Sequence, residues 1–216
     1  MGKLKVAVLI SGRGSNLQAL LDACASPGFP ARIVRVISNV ADAFGLERAK
    51  RAGVATQVID HKAFPSREAF DAALDEAIRT AGAELVCLAG FMRLLSPGFT
   101  EAWRGRVLNI HPALLPSFKG LHTHQRALEA GVKLHGCSVH FVTPDLDDGP
   151  LIVQAAVPVL EGDDEDSLSK RVLAAEHRIY PLAVKLIGEG RVRLEGRVVH
   201  IDGAAGNPAA LLNPAD

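Results

Sequence analysis

The start of the chain leaves little freedom of architecture. Residues 5–10 are a continuous apolar run after Lys5, rich in β-branched side chains, as in a strand buried on both faces. Ser11-Gly12-Arg13-Gly14-Ser15-Asn16 breaks that run, and helical spacing of apolar residues holds from 17 to about 25. A buried strand, a glycine turn and a helix, in that order, suit an α/β fold and aim the helix's unpaired N–H groups at an anion. Two common versions of the motif fail. A dinucleotide fingerprint needs a small residue where Leu17 stands and an acid after the second strand, but that strand, 32–37, ends in Ser38-Asn39. A P-loop needs Gly-Lys-Ser/Thr, which the turn lacks. One phosphate monoester, held by the amides of Gly14, Ser15 and Asn16, fits better. A plain helix cap with glycine for tight packing is the bland alternative.

Strands and helices continue to alternate. Residues 42–53 read as a helix closing on Gly53, 56–59 as a short strand, and 67–80 as a helix capped by Ser66. Arg67 in that first turn opposes the helix dipole, which a nearby anion would relieve and solvent would equally tolerate. Residues 84–89 form another buried strand. Its continuation, Gly90-Phe91-Met92-Arg93-Leu94-Leu95, is apolar around one charge. It suits the wall of a pocket for a flat aromatic ligand, or core packing with Arg93 reaching water. Ser96-Pro97 begins a short helix that carries Trp103.

The strand Val107-Leu108-Asn109-Ile110-His111 is stopped by Pro112, which has no N–H for a ladder. Asn109 and His111, two apart, share one side of it, at the end where open α/β sheets hold ligands. An amide there stabilises an oxyanion and an imidazole moves a proton. A turn-closing amide and a half-buried histidine are the alternative. His122 and His124 lack a third ligand in register, so no metal is expected. Thr123 reads as a cap for a helix over 124–130. Residues 134–142 form a strand with Gly136, Ser138 and His140 on one face and Cys137, Val139 and Phe141 on the other. Residues 143–150, acidic and bracketed by Pro and Gly, suit a movable lid, and 151–157 returns as a strand. Acids at 163–166 open a long helix, 167–188, that Pro181 should kink. Residues 191–202 read as a hairpin about Gly196, and the chain from Gly203 as a frayed tail.

The totals narrow the function. The chain has 216 residues, 48% hydrophobic and 22% charged, with 24 Lys+Arg balancing 24 Asp+Glu. Zero net charge disfavours nucleic acid as a partner, and no run is apolar enough for a membrane span. The three scattered cysteines suggest neither a disulfide framework nor a metal pair, so the cytoplasm is the expected compartment. Small-molecule substrates are the expected partners; monomer and homodimer are equally compatible. No serine or cysteine is clearly paired with His111, which favours direct acyl transfer between two bound ligands over a covalent intermediate. An acid from the lid would complete the amide and imidazole.

These motifs resemble those of the phosphoribosylglycinamide formyltransferases. The resemblance runs from Leu9-Ile10-Ser11 through Asn16, Phe44 to Ala49, Leu88 to Arg93, Leu108 to Pro112, Gly120 to His124 and Val139 to Thr143, to Ala175-Glu176-His177 and Tyr180-Pro181. It covers roughly residues 4 to 200. It implies a Rossmann-like formyltransferase fold, α/β, with a mixed, mostly parallel sheet and helices on both faces. Residues 1–202 would be one domain, its first half (about 1–100) binding phosphate and its second (about 101–202) binding folate and carrying catalysis, with 203–216 a tail. By resemblance, 10-formyltetrahydrofolate is the co-substrate, no metal is needed, and Asn109, His111 and Asp147 are the catalytic set. Gly14, Ser15, Asn16 and Glu176 would bind the ribonucleotide, Glu176 at its amine. Arg67, Met92, Arg93, Leu94, Leu95, Asn109, Thr143, Pro144, Asp145, Leu146 and Asp147 would bind or border the folate. Three positions depart from the family pattern: Ala113 for a serine, Asp148 for a glycine, and Leu173 for an often polar residue. With two adjacent acids, either Asp147 or Asp148 could face the histidine; register favours Asp147. A formyltetrahydrofolate hydrolase, normally with an added N-terminal domain, and a methionyl-tRNA formyltransferase, with a C-terminal RNA-binding barrel, are rivals within the fold. A non-catalytic nucleotide-binding module is the rival outside it.

Overall fold

The computed structural model describes residues 2–204, 206 and 211–214. A seven-stranded sheet organises them, in the order β3-β2-β1-β4-β5-β6-β7. Its strands are β1 (Leu4–Ile10), β2 (Ala31–Ser38), β3 (Thr56–Val58), β4 (Leu85–Leu88), β5 (Val107–His111), β6 (Leu134–Phe141) and β7 (Leu151–Pro158). The first five are parallel; β6 runs antiparallel to β5, and β7 to β6. This is the mixed, mostly parallel α/β sheet that the motifs imply.

Period-two alternation explains the layers. In β1, Val6, Val8 and Ile10 enter one apolar core while Ala7 and Leu9 enter the other. The first core is closed by α1 (Ser15–Ala25), α2 (Phe44–Arg51) and α6 (Glu165–Gly188), through Leu17, Leu20, Leu46, Leu168 and Tyr180. The second is closed by α3 (Arg67–Thr80) and α4 (Pro97–Ala102), through Phe70, Leu74, Ile78 and Phe99. The chain leaves β1 toward β2 on one side and returns to β4 on the other. The carboxyl ends of β1 and β4 therefore flank the crevice where a doubly wound sheet accepts ligands.

Several boundaries follow from local chemistry. Ser66 Oγ accepts the Ala69 N–H, and Asp164 with Ser167 forms a reciprocal box that starts α6 two residues earlier than expected. α2 is shorter than the 42–53 expected, because Ala43 is extended and leaves Asp42 outside it. α5 (Thr123–Glu129) is not capped by Thr123: His122, at φ 55°, stands at its cap position, and Thr123 is buried as its first residue. α6 runs through Pro181 as one element. The hairpin is β8 (Val192–Glu195) with β9 (Val198–Ile201). The expected tail falls partly outside the described residues, at 205, 207–210 and 215–216. Within it, the Asn213 amide donates to the carbonyls of Lys133 and Val159 at 2.7 and 2.8 Å. No helix among the described residues is long and apolar enough to cross a membrane.

Candidate active site

The glycine turn after β1 is shaped from outside. Gly14 takes φ 69° and begins α1 with no side-chain cap, so the N–H groups of the first turn have no partner within the helix. A Cβ on Gly14 would lie 2.8 Å from the Gly45 Cα, and one on Gly45 would lie 2.5 Å from Ile10 Cδ1. Helix α2 thus presses directly on the turn. The Gly45 N–H donates to the Gly12 carbonyl at 3.0 Å, and Arg48 Nε to the Arg13 carbonyl at 2.9 Å. The turn opens on a cavity of about 240 Å³ lined by residues 11–16 with Ala89, Gly90 and Met92.

Beside that turn, Asn16 Nδ2 donates to Glu176 Oε2 at 2.7 Å. The two side chains come from opposite ends of the chain and are only 9% and 6% exposed. Burial holds the Glu176 carboxyl above its ordinary range, against the opposing hydrogen bond from Asn16. Asn16 Oδ1 is buried without a hydrogen-bond partner. A carboxylate and an amide oxygen, both dry and one unsatisfied, suit a ligand group with N–H donors.

Residues 90–96 leave β4 along the end of α3. Phe70 and Phe91 stack with ring centroids 6.4 Å apart, and Asp71 Oδ2 accepts the Ser96 N–H at 2.6 Å. Arg67, one turn before Phe70, is exposed at the helix start. Met92 and Leu94 are strongly exposed, whereas Leu95 is buried in the core. Arg93 is exposed as well.

The carboxyl end of β5 gathers the reactive groups. Leu108 and Ile110 point into the core beneath α6, so Asn109 and His111 face the other way. Asp147, at φ 48° in the loop after β6, meets them: His111 Nδ1 lies 3.3 Å from Asp147 Oδ2, and Asn109 Nδ2 lies 3.4 Å from Oδ1. His111 Nε2 lies 3.0 Å from the Phe118 carbonyl. Both ring nitrogens therefore face acceptors, and a proton gained by the ring meets an oxygen already in place. Burial nevertheless pushes the imidazole below its ordinary value, against the Phe118 carbonyl and the Asp147 charge. Burial would raise the Asp147 carboxyl, but the hydrogen bonds from His140 and the Gly120 N–H and the adjacent imidazoles hold it below its usual range. The pair is thus set as neutral base and carboxylate near neutral pH.

Residues 4–184 match the family described as Formyl transferase. The chain belongs to the formyl transferase family. It is 52% identical over 200 residues to phosphoribosylglycinamide formyltransferase of Escherichia coli (strain K12), covering 93% of this chain and 94% of that one. It is 54% identical over 198 residues to the trifunctional purine biosynthetic protein adenosine-3 of Bos taurus, where it covers 91% of itself but spans only 20% of the relative's length. Its fold superposes on the crystal structure of glycinamide ribonucleotide transformylase 1 from Symbiobacterium toebii with a TM-score of 0.90 at 56% identity, covering 92% and 94% of the two chains.

In this formyl transferase the ambiguity between two adjacent acids is resolved by geometry. Asp148 turns away from His111 and is taken up by Lys119 Nζ and by Arg197 Nη2 at 2.6 Å. Those two cations hold its carboxyl down at about 2. Residues 118, 119 and 120 form a strap with three successive attachments: Phe118 O to His111, Lys119 to Asp148, and the Gly120 N–H to Asp147 Oδ2 at 3.0 Å. Thr143 Oγ1 donates to the Asp145 carbonyl at 3.3 Å within the loop after β6, while Leu146 is exposed next to Asp147. Pro144 and Asp145 lie along the same loop.

Some neighbours of the formyl transferase site escaped sequence reasoning. His140 stands directly opposite Asn109 across the β5–β6 ladder, with Nε2 3.4 Å from Asn109 Nδ2 and 3.7 Å from Asp147 Oδ1. Its place on one face of β6 was legible, but its partner depended on strand register. Gly45 entered the sequence reading only as part of the Phe44 to Ala49 motif, with no sign of its approach to Gly14. Ser138 Oγ accepts the Leu115 N–H at 3.1 Å and donates to the Ala113 carbonyl at 2.7 Å, anchoring the loop after His111. His124 Nδ1 and His135 Nε2 lie 3.3 Å apart. Among the described residues no group of three or more His, Cys, Asp or Glu could hold a metal.

Proposed function

We propose that this chain transfers the formyl group of 10-formyltetrahydrofolate to the amine of phosphoribosylglycinamide, a step of purine synthesis, in the cytoplasm. The observation that carries the reading is the convergence of Asn109, His111 and Asp147, with His111 Nδ1 3.3 Å from Asp147 Oδ2. Residues 1–202 act as one formyltransferase unit, with phosphate bound in the first half and folate in the second.

The phosphate of the ribonucleotide sits on the amides of Gly14, Ser15 and Asn16, where α1 leaves first-turn N–H groups unpaired. Its amine is received by Glu176 and the unsatisfied Asn16 Oδ1. The folate lies along residues 92–95, with Arg67 nearby to meet an anionic end and the 143–147 lid folding against it. The amine nitrogen attacks the formyl carbon, and the carbonyl electron pair moves to oxygen. Asn109 donates to that oxyanion; its present contacts, both at 3.4 Å, are too long to commit the amide elsewhere. Neutral His111 takes the proton that the attacking nitrogen loses and returns it to the departing folate nitrogen as the tetrahedral centre collapses. Asp147 keeps the imidazolium favourable during that interval.

The test is formylation of phosphoribosylglycinamide by the purified chain, with water and initiator tRNA offered as competing acceptors. Transfer to phosphoribosylglycinamide in preference to both is expected. Preferential release of formate, or formylation of the tRNA, would overturn the reading in favour of a sister activity. Binding of the ribonucleotide without the folate would leave only a nucleotide-binding module.

A further inference from the structure

A partly buried polar chain at the ends of β1, β2 and β4 takes no part in the chemistry above. Ser11 holds the backbone of residues 90–92 twice. Its N–H donates to the Gly90 carbonyl at 3.1 Å, and its hydroxyl oxygen accepts the Met92 N–H at 2.8 Å. The hydroxyl hydrogen goes to Asn39 Oδ1 at 2.6 Å, and Asn39 Nδ2 lies 3.2 Å from His61 Nδ1. Asn39 is only 4% exposed.

The direction of the inner links follows from the backbone. A backbone N–H only donates, so the Ser11 oxygen turns a lone pair to Met92 and its hydrogen toward an acceptor. Asn39 Oδ1 supplies that acceptor, which turns the amide NH₂ toward His61, where the tautomer with a lone pair on Nδ1 completes the chain and Asp60 Oδ1 lies 3.6 Å from the same nitrogen. The inner end of this relay borders both proposed ligand sites. Ser11 and Met92 line the same 240 Å³ cavity as the glycine turn, and Met92 begins the segment assigned to folate.

We propose that Asn39 is a positioning residue that couples the two substrate sites. By orienting the Ser11 hydroxyl it fixes the 90–92 backbone against the 11–16 turn, so a ligand that orders one segment orders the other. The proposal rests on the reading of these segments as ribonucleotide and folate sites.

Calorimetric titration with folic acid, which has no transferable formyl group, tests it with and without saturating phosphoribosylglycinamide. The wild-type chain is expected to bind folic acid about fivefold or more tightly when the ribonucleotide is present. Asn39→Leu keeps the forked side-chain outline, with somewhat more bulk, but offers no acceptor, and the enhancement should fall below about twofold while each ligand still binds alone. Asn39→Asp keeps the acceptor for Ser11, and His61 can meet its second oxygen by carrying its proton on Nδ1; the enhancement should return. A role in packing alone predicts that Asn39→Leu weakens each ligand separately and leaves their ratio unchanged, and that result would overturn the proposal. So would a wild-type chain that binds both ligands independently. If Asn39→Leu does not fold, Ser11→Ala cuts the same relay from its other end and carries the same two outcomes. A wild-type chain that binds neither ligand would instead sink the functional reading, and this proposal with it.

Discussion

His111 is held between two acceptors yet kept neutral by burial, and that tension sets its pH behaviour. A lowered imidazole pKa means that the base form persists to more acidic pH than in an exposed histidine. The profile of kcat/KM should therefore rise with pH through a midpoint below about 6.5, the ordinary histidine value, and then level off. Asp147→Asn removes the charge that favours the imidazolium, so it should move that midpoint lower still; an upward move would mean that Asp147 does not face the ring electrostatically. His111→Ala should lower kcat by about 10²–10⁴ with the thermal midpoint nearly unchanged, and near-normal turnover would remove it from the mechanism. Asp147→Asn should cost more turnover than Asp148→Asn, because only Asp147 touches His111. Glu176 carries the opposite sign. Its raised pKa means that the fold disfavours its charge, so the carboxylate opposes folding above its unfolded pKa. Glu176→Gln should melt no lower than the wild-type chain while raising KM for the ribonucleotide; a clear loss of stability would show that the carboxylate was structurally required.

At the scale of elements, α2 shapes the glycine turn as much as α1 does. Gly45→Ala would drive a methyl group into Ile10 Cδ1 and push the helix off the turn. Ribonucleotide affinity should fall about tenfold or more, consistent with overpacking that typically costs about 1–3 kcal/mol, while folic acid binding changes less. Equal losses for both ligands would indicate a general folding defect. A bulky residue at Gly14 should give the same asymmetry. The helix caps and strand faces were legible because their causes are local. Ser66 reaches an N–H three residues on, and β1 alternates within itself. The α2 approach was not legible, since it depends on two glycines meeting across 31 residues of sequence. Nor was the facing of His140 and Asn109, which only the β5–β6 register decides. The misplaced start of α5 has a local cause that the sequence hides. A non-glycine residue, His122, adopts a left-handed backbone there.

Across the whole molecule, the candidate catalytic groups were legible by type and not by route. Asn109 and His111 shared a strand face in the sequence, but Asp147 reaches them only because the loop after β6 folds back over the sheet. That return requires Gly149, where a Cβ would lie 1.6 Å from the Phe141 carbonyl oxygen. The same loop is tied to the distant hairpin, since Arg197 grips both the carbonyl and the carboxylate of Asp148. Such half-exposed charges lie within reach of dissolved ions, whereas the buried His111–Asp147 pair is shielded from them. Dissolved potassium chloride should therefore act as an external dial on the lid, lowering folate affinity in the native chain but much less in Asp148→Gly. Equal salt sensitivity in the two would mean that the hairpin's grip does not govern the loop. If it does, the outermost ornament of the fold, far along the chain from the reacting atoms, reports the saltiness of its surroundings to them.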